Sequence, residues 1–134
     1  MRLSAYGEYA CLAMVDLSQN YGKGPLKIKD IAEREQIPQK FLEQILLTLK
    51  RAGYLQSKRG FHGGYELSRA PKQITVAEIV RFTDGAVAPV ASVSSHFYAH
   101  SPSEKNAALT GLFKEVRDMV STKLEGTTFA DLII

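Results

Sequence analysis

Apolar residues recur at helical spacing from the first residues onward. Leu3, Tyr6, Ala10, Ala13, Met14 and Leu17 share one face, which predicts a helix over about residues 4–20 with Ser4 as its N-cap. Asn20, Gly22, Gly24 and Pro25 stop it. Ile28, Ile31 and Ala32 mark the inner face of a short second helix. Pro38 stands at the first turn of a third, whose inner stripe is Phe41, Leu42, Ile45, Leu46 and Leu49. Gln39, Lys40, Glu43, Gln44, Thr48 and Arg51 fall mostly on the opposite side, and Leu47 is an apolar exception among them. Gly53 occupies the left-handed position that ends a helix.

The period then changes. Residues 54–67 read Tyr-Leu-Gln-Ser-Lys-Arg-Gly-Phe-His-Gly-Gly-Tyr-Glu-Leu, two short runs joined by a basic, glycine-rich tip, with Leu55 and Leu67 expected to point inward. Gly60, Gly63 and Gly64 are expected to supply the positive backbone angles of the tip. Thr75 and Glu78 form a capping box that opens a fourth helix through about Thr83, with Val76, Ile79, Val80 and Phe82 on its buried side and Gly85 beyond its end. Residues 86–103 are small, polar and proline-punctuated, which predicts a loop. A final helix is expected from about Glu104 to Glu125, with an apolar stripe of Leu109, Leu112, Phe113, Val116, Met119, Val120 and Leu124.

Two helices joined by a turn and followed by a hairpin are the layout of a winged helix-turn-helix, whose second helix reads DNA while the hairpin reaches a neighbouring groove. The fold class is thus mainly α with a small β-hairpin: a winged helix-turn-helix over residues 1–85, a loop over 86–103, and a long C-terminal helix with its tail over 104–134. That last stripe is wider than one small domain requires. It suits a helix that packs against its copy in a homodimer, with Phe129, Leu132 and Ile133 of the tail capping the junction.

Charge sharpens this reading. The net charge is only +3, but residues 1–72 carry twelve Lys or Arg against seven Asp or Glu, while residues 73–134 carry five against seven. The basic half presents itself to a polyanion. On the third helix, Gln44 can bond adenine bidentately, Glu43 can accept from the cytosine amino group, and Lys40 can bond guanine or phosphate, with Gln39 beside them. Arg2, Lys27, Lys29 and Arg51 suit phosphates. At the hairpin tip Lys58, Arg59 and Gly60 form a cationic point, Arg59 fits a narrow minor groove, and Phe61 and His62 can pack on sugars.

Other chemistry is thin. Hydrophobic residues make up 45% of the chain and charged residues 23%, which are globular values. The one cysteine, Cys11, excludes an intramolecular disulfide and a four-thiolate metal site within one chain. No nucleophile has a base at useful spacing and no phosphate-cradling motif occurs, so an enzyme is not expected. No apolar run approaches a membrane span, and a cytoplasmic protein is expected. Two alternatives stay open: a winged-helix protein–protein adaptor, and a redox- or metal-responsive regulator using Cys11 or the pair His96 and His100.

Met1-Arg2-Leu3-Ser4, Tyr9-Ala10, Phe41-Leu42-Glu43-Gln44-Ile45-Leu46, Gly53-Tyr54-Leu55, Arg59-Gly60, Gly63-Gly64-Tyr65 and Glu78-Ile79 resemble the IscR/NsrR/CymR family of bacterial winged-helix regulators. The likeness is dense over residues 1 to about 85 and thinner through the long helix and the tail at 128–132. It implies a homodimer paired through the long helix on a pseudo-palindromic operator, with Glu43 and Gln44 facing the major groove and Arg59 the minor groove. It implies a transcriptional regulator, expected to be a repressor, whose effector is a small molecule or a metabolic-enzyme partner acting at loop 86–103. Cluster-binding relatives carry three cysteines in that loop. This chain has none there, so no cofactor is expected, and Glu8, at the place of a carboxylate ligand in some relatives, lacks thiolate partners.

Overall fold

The computed structural model describes residues 2–134. Helix α1 (Ala5–Gln19) begins where Ser4 Oγ accepts from the Gly7 N–H, and it buries Ala10, Ala13, Met14 and Leu17. Helices α2 (Ile28–Glu35) and α3 (Gln39–Arg51) follow, separated by Gln36 in the left-handed conformation at φ 54°. Ile31, Leu42, Ile45, Leu46 and Leu49 close on α1 with no more than 1% exposure, so the helical period resolved the inner faces correctly. Asp16 of α1 is almost wholly buried and is held by Arg34 of α2 through two hydrogen bonds, Nε to Oδ1 at 3.1 Å and Nη2 to Oδ2 at 2.9 Å. This fork fixes the angle between the two helices.

Strands β1 (Leu55–Lys58) and β2 (Gly64–Leu67) pair antiparallel with Leu55 opposite Leu67, both buried as the alternation requires. Leu26, just before α2, adds a short third edge by exchanging hydrogen bonds with Tyr65 at 2.7 and 2.8 Å. Helix α4 (Val76–Asp84) opens with the expected capping box. Helix α5 (Ala107–Glu125) completes the set. The connection between α4 and α5 has two single 3-10 turns, Ala91–Val93 and Pro102–Lys105, and is anchored by the buried residues Val87, Ala88 and Val93.

Four expectations are corrected. The last helix begins at Ala107 rather than Glu104, because Asn106 has extended backbone and its side chain accepts from the Leu109 N–H, a stronger start signal than the preceding polar run. Phe82 is 41% exposed rather than buried, set edge-on to Tyr54 across the wing base. Gly63 has no positive φ; it is glycine because a Cβ there would lie 2.2 Å from the Lys58 carbonyl oxygen. Phe129 does not cap a junction between chains. It is fully buried in its own core, with its N–H donated to the Ile74 carbonyl while the Val76 N–H bonds Thr127. The tail is therefore stitched to the start of α4.

Candidate nucleic-acid interface

Burying Leu42, Ile45, Leu46 and Leu49 turns the opposite face of α3 outward. Gln39, Lys40, Glu43 and Gln44 are all exposed on its first two turns, and Arg51 is exposed at its end. Leu47 is 39% exposed on the same outward side. Thr48 turns its hydroxyl back to the Gln44 carbonyl at 2.8 Å, leaving the longer side chains free. The wing follows within a few residues, since α3 ends at Arg51 and β1 starts at Leu55. Gly53, at φ 90°, makes that sharp connection.

The hairpin tip is a tight turn closed by the Gly63 N–H on the Gly60 carbonyl at 3.0 Å. Arg59, Gly60, Phe61 and His62 are all exposed, Phe61 to 83%. Among the described residues Lys29, Lys40, Arg51 and Arg59 have no carboxylate at ion-pair distance, so these cations are available to a polyanion. Lys58 is different. It pairs with Glu66 across the hairpin at 3.2 Å, and the Gln56 and Lys58 hydrogen bonds hold the Glu66 carboxyl below its ordinary range. Lys27, read from sequence as a phosphate contact, donates to the Phe61 carbonyl at 2.5 Å. Arg2 lines a cleft with Thr83, Asp84 and Ala86 where α1 begins and α4 ends. The partners of Lys27 and Lys58 could not be read from the sequence. A cross-strand partner or an acceptor on another element leaves no local signal, and the only hint of Leu47 was its place on a polar face.

Helix α5 has no fully buried residue. Leu109, Leu112, Val116 and Met119 are 39%, 51%, 36% and 74% exposed, while Phe113 and Val120 are half-buried. The chain thus leaves the apolar stripe largely uncovered over a helix about 28 Å long.

In the connecting loop, Glu104 accepts from Tyr98 Oη at 2.7 Å and lies 2.7 Å from His100 Nδ1, which together lower its pKa. Phe97 and Tyr98 are 47% and 65% exposed. His96 is exposed and lies near Arg81 and Ser94. Among the described residues no group of three or more His, Cys, Asp or Glu side chains is placed to hold a metal ion. Cys11 sits half-buried in α1, where burial first, and then Asp84 and Glu8, push its thiol up to about 11. It is protonated at neutral pH and a weak nucleophile or ligand. Among the described residues no helix is long and apolar enough to cross a membrane.

The family model for Rrf2, described as an iron-dependent transcriptional regulator, matches residues 3–134. The HTH-type transcriptional regulator CymR of Bacillus subtilis is 33% identical over 132 residues, spanning 98% of this chain and 89% of the relative. The solved structure of CymR, the global cysteine regulator of B. subtilis, superposes with a TM-score of 0.80 at 32% identity, over 98% of this chain and 95% of that one. The structure of T. potens IscR superposes with a TM-score of 0.76 at 32% identity, over 98% and 85% of the two chains.

Proposed function

The chain belongs to the Rrf2 family and is a DNA-binding transcriptional regulator, and from that premise we propose that it works in the cytoplasm as a homodimeric repressor on a pseudo-palindromic operator, without an iron–sulfur cluster and without enzymatic activity. In this reading residues 1–85 bind DNA, residues 86–103 receive the signal, and residues 104–134 pair the two chains. Gln39, Lys40, Glu43 and Gln44 read major-groove edges, Leu47 meets a thymine methyl group, Lys29 and Arg51 hold phosphates, and Arg59 with Gly60 and His62 enters the minor groove. The uncovered stripe of α5 supports pairing, because burying it against its twofold copy satisfies both chains at once.

The observation that carries the DNA-binding assignment is the set of cations on α3 and the wing without carboxylate partners. A titration of a selected operator duplex over increasing salt tests it. Affinity falling steeply with salt is expected, and insensitivity to salt refutes phosphate contact.

The family description names iron, but the donors present do not fit an iron–sulfur cluster. Thiolates are the usual ligands, and the connecting loop offers Ser92, Tyr98, His100 and Glu104 instead. The single thiol of the chain is held protonated in α1. The likeness to the global cysteine regulator favours a metabolic signal, and the exposed Phe97 and Tyr98 give a partner protein or small molecule an aromatic surface to meet.

A further inference from the structure

We propose that Lys27 is a positioning residue that latches the wing for DNA reading and does not itself bind phosphate. The inference rests on the DNA-binding role of the wing proposed above.

Lys27 is the last residue before α2, on the segment that already touches the hairpin through the Leu26–Tyr65 backbone pair. Its ammonium group reaches across to the tip, donating to the Phe61 carbonyl at 2.5 Å and lying 5.2 Å from the centre of the Phe61 ring. Both contacts fall on one residue of the turn that carries Arg59. The approach is close at Gly64, where a Cβ would lie 2.2 Å from the Leu26 carbonyl oxygen. Beside it runs a cleft of about 390 Å³ lined by Lys23, Lys27, Asp30, His62 and Gly63.

The hairpin needs such a tie. Its two strands pair over only four residues each, and an isolated two-stranded ribbon is marginal in water. Backbone pairing of Leu26 holds β2 at Tyr65, opposite Ser57, and the turn over residues 60–63 extends beyond that tie. A cation bonded to a tip carbonyl and seated on the tip aromatic removes freedom from that turn before DNA arrives, so the entropy of ordering the wing is not lost on binding. Lys27 is exposed, and it commits one of its three N–H donors to the tip. Its removal then acts through Arg59 and His62.

The test is a cycle of salt-dependent operator titrations on wild type, Lys27→Met, a wing-stripped variant (Arg59→Ala with His62→Ala) and the combination, with tryptic cleavage at Lys58 and Arg59 measured on free wild type and free Lys27→Met. Lys27→Met should weaken binding about tenfold in the wild-type background, the scale of one charged hydrogen bond and one exposed cation–π contact. It should have almost no further effect on the wing-stripped protein, and should speed cleavage of the free wing. A direct phosphate contact predicts the opposite: an undiminished loss in the wing-stripped background, with the salt slope falling by about 0.9 there. That result overturns the latch, as does an unchanged cleavage rate. If wild type binds no duplex at all, the DNA reading fails, while the cleavage comparison still decides whether Lys27 orders the tip.

Discussion

If two chains pair through α5 as proposed, replacing Leu112 and Met119 together by alanine should convert the dimer to a monomer while leaving each chain folded. Within one chain Leu112 keeps 51% of its surface exposed and Met119 keeps 74%. Pairing that buries the remainder removes about half of a leucine side chain and most of a methionine from water. At about 1.5–3 kcal/mol for complete burial of such a side chain, the two contribute about 3 kcal/mol per protomer. A twofold interface counts each residue twice, so the variant loses about 6 kcal/mol of pairing free energy. That corresponds to about four orders of magnitude in the dimer dissociation constant. Alanine is the strongest helix former, so α5 itself should persist. Sedimentation velocity over a wide concentration range reads the loss directly, and circular dichroism checks that helicity and melting are retained. An unchanged dimer constant would show that the α5 stripe is not the interface, and a monomeric wild type would remove the pairing premise.

Three further outcomes follow from particular residues. Phe129→Ala should destabilise the fold by about 3–5 kcal/mol in denaturant unfolding, since it empties a fully buried site joining the tail to α1 and α4; a loss under 1 kcal/mol would contradict the stitched tail. Cys11 should alkylate at pH 7 about a hundredfold more slowly than an ordinary thiol, because its pKa is raised from 9.0 to about 11, and the rate should climb as pH rises through that range. Alkylation at the rate of a free thiol would mean that the site opens. Leu47→Ala should cost little stability but lower affinity about threefold or more for one thymine-containing position, an effect matched by replacing that thymine with deoxyuridine; if no thymine in the operator behaves so, Leu47 does not read the groove.

Much of the architecture was legible because its signals are local. The inner faces of α1, α2 and α3, the alternation that buries Leu55 and Leu67, and the Thr75–Glu78 capping box each depend on residues a few positions apart. The outward set on α3 followed from the same period. What escaped depends on distant partners. Phe129 looks like any apolar residue in a tail until Ile74 and α1 are beside it. Phe82 fits the buried stripe of a nine-residue helix, but that stripe is satisfied by Ala77, Ile79 and Val80, and Phe82 is left to Tyr54. Lys27 and Lys58 carry the same charge as Arg59, and only the carbonyl and carboxylate they meet separate them from it.

The hydrogen bonds that tie residues 127 and 129 to residues 74 and 76 also bear on how the proposed dimer would measure distance. In a molecule paired as proposed they would restrain α5 from pivoting on the body, so the gap between the two recognition helices would be a fixed dimension of the pair. Adding one base pair between half-sites would turn one of them by about 35° around the duplex. A pair with so stiff a caliper should then tolerate altered letters within a half-site better than an altered spacing between them.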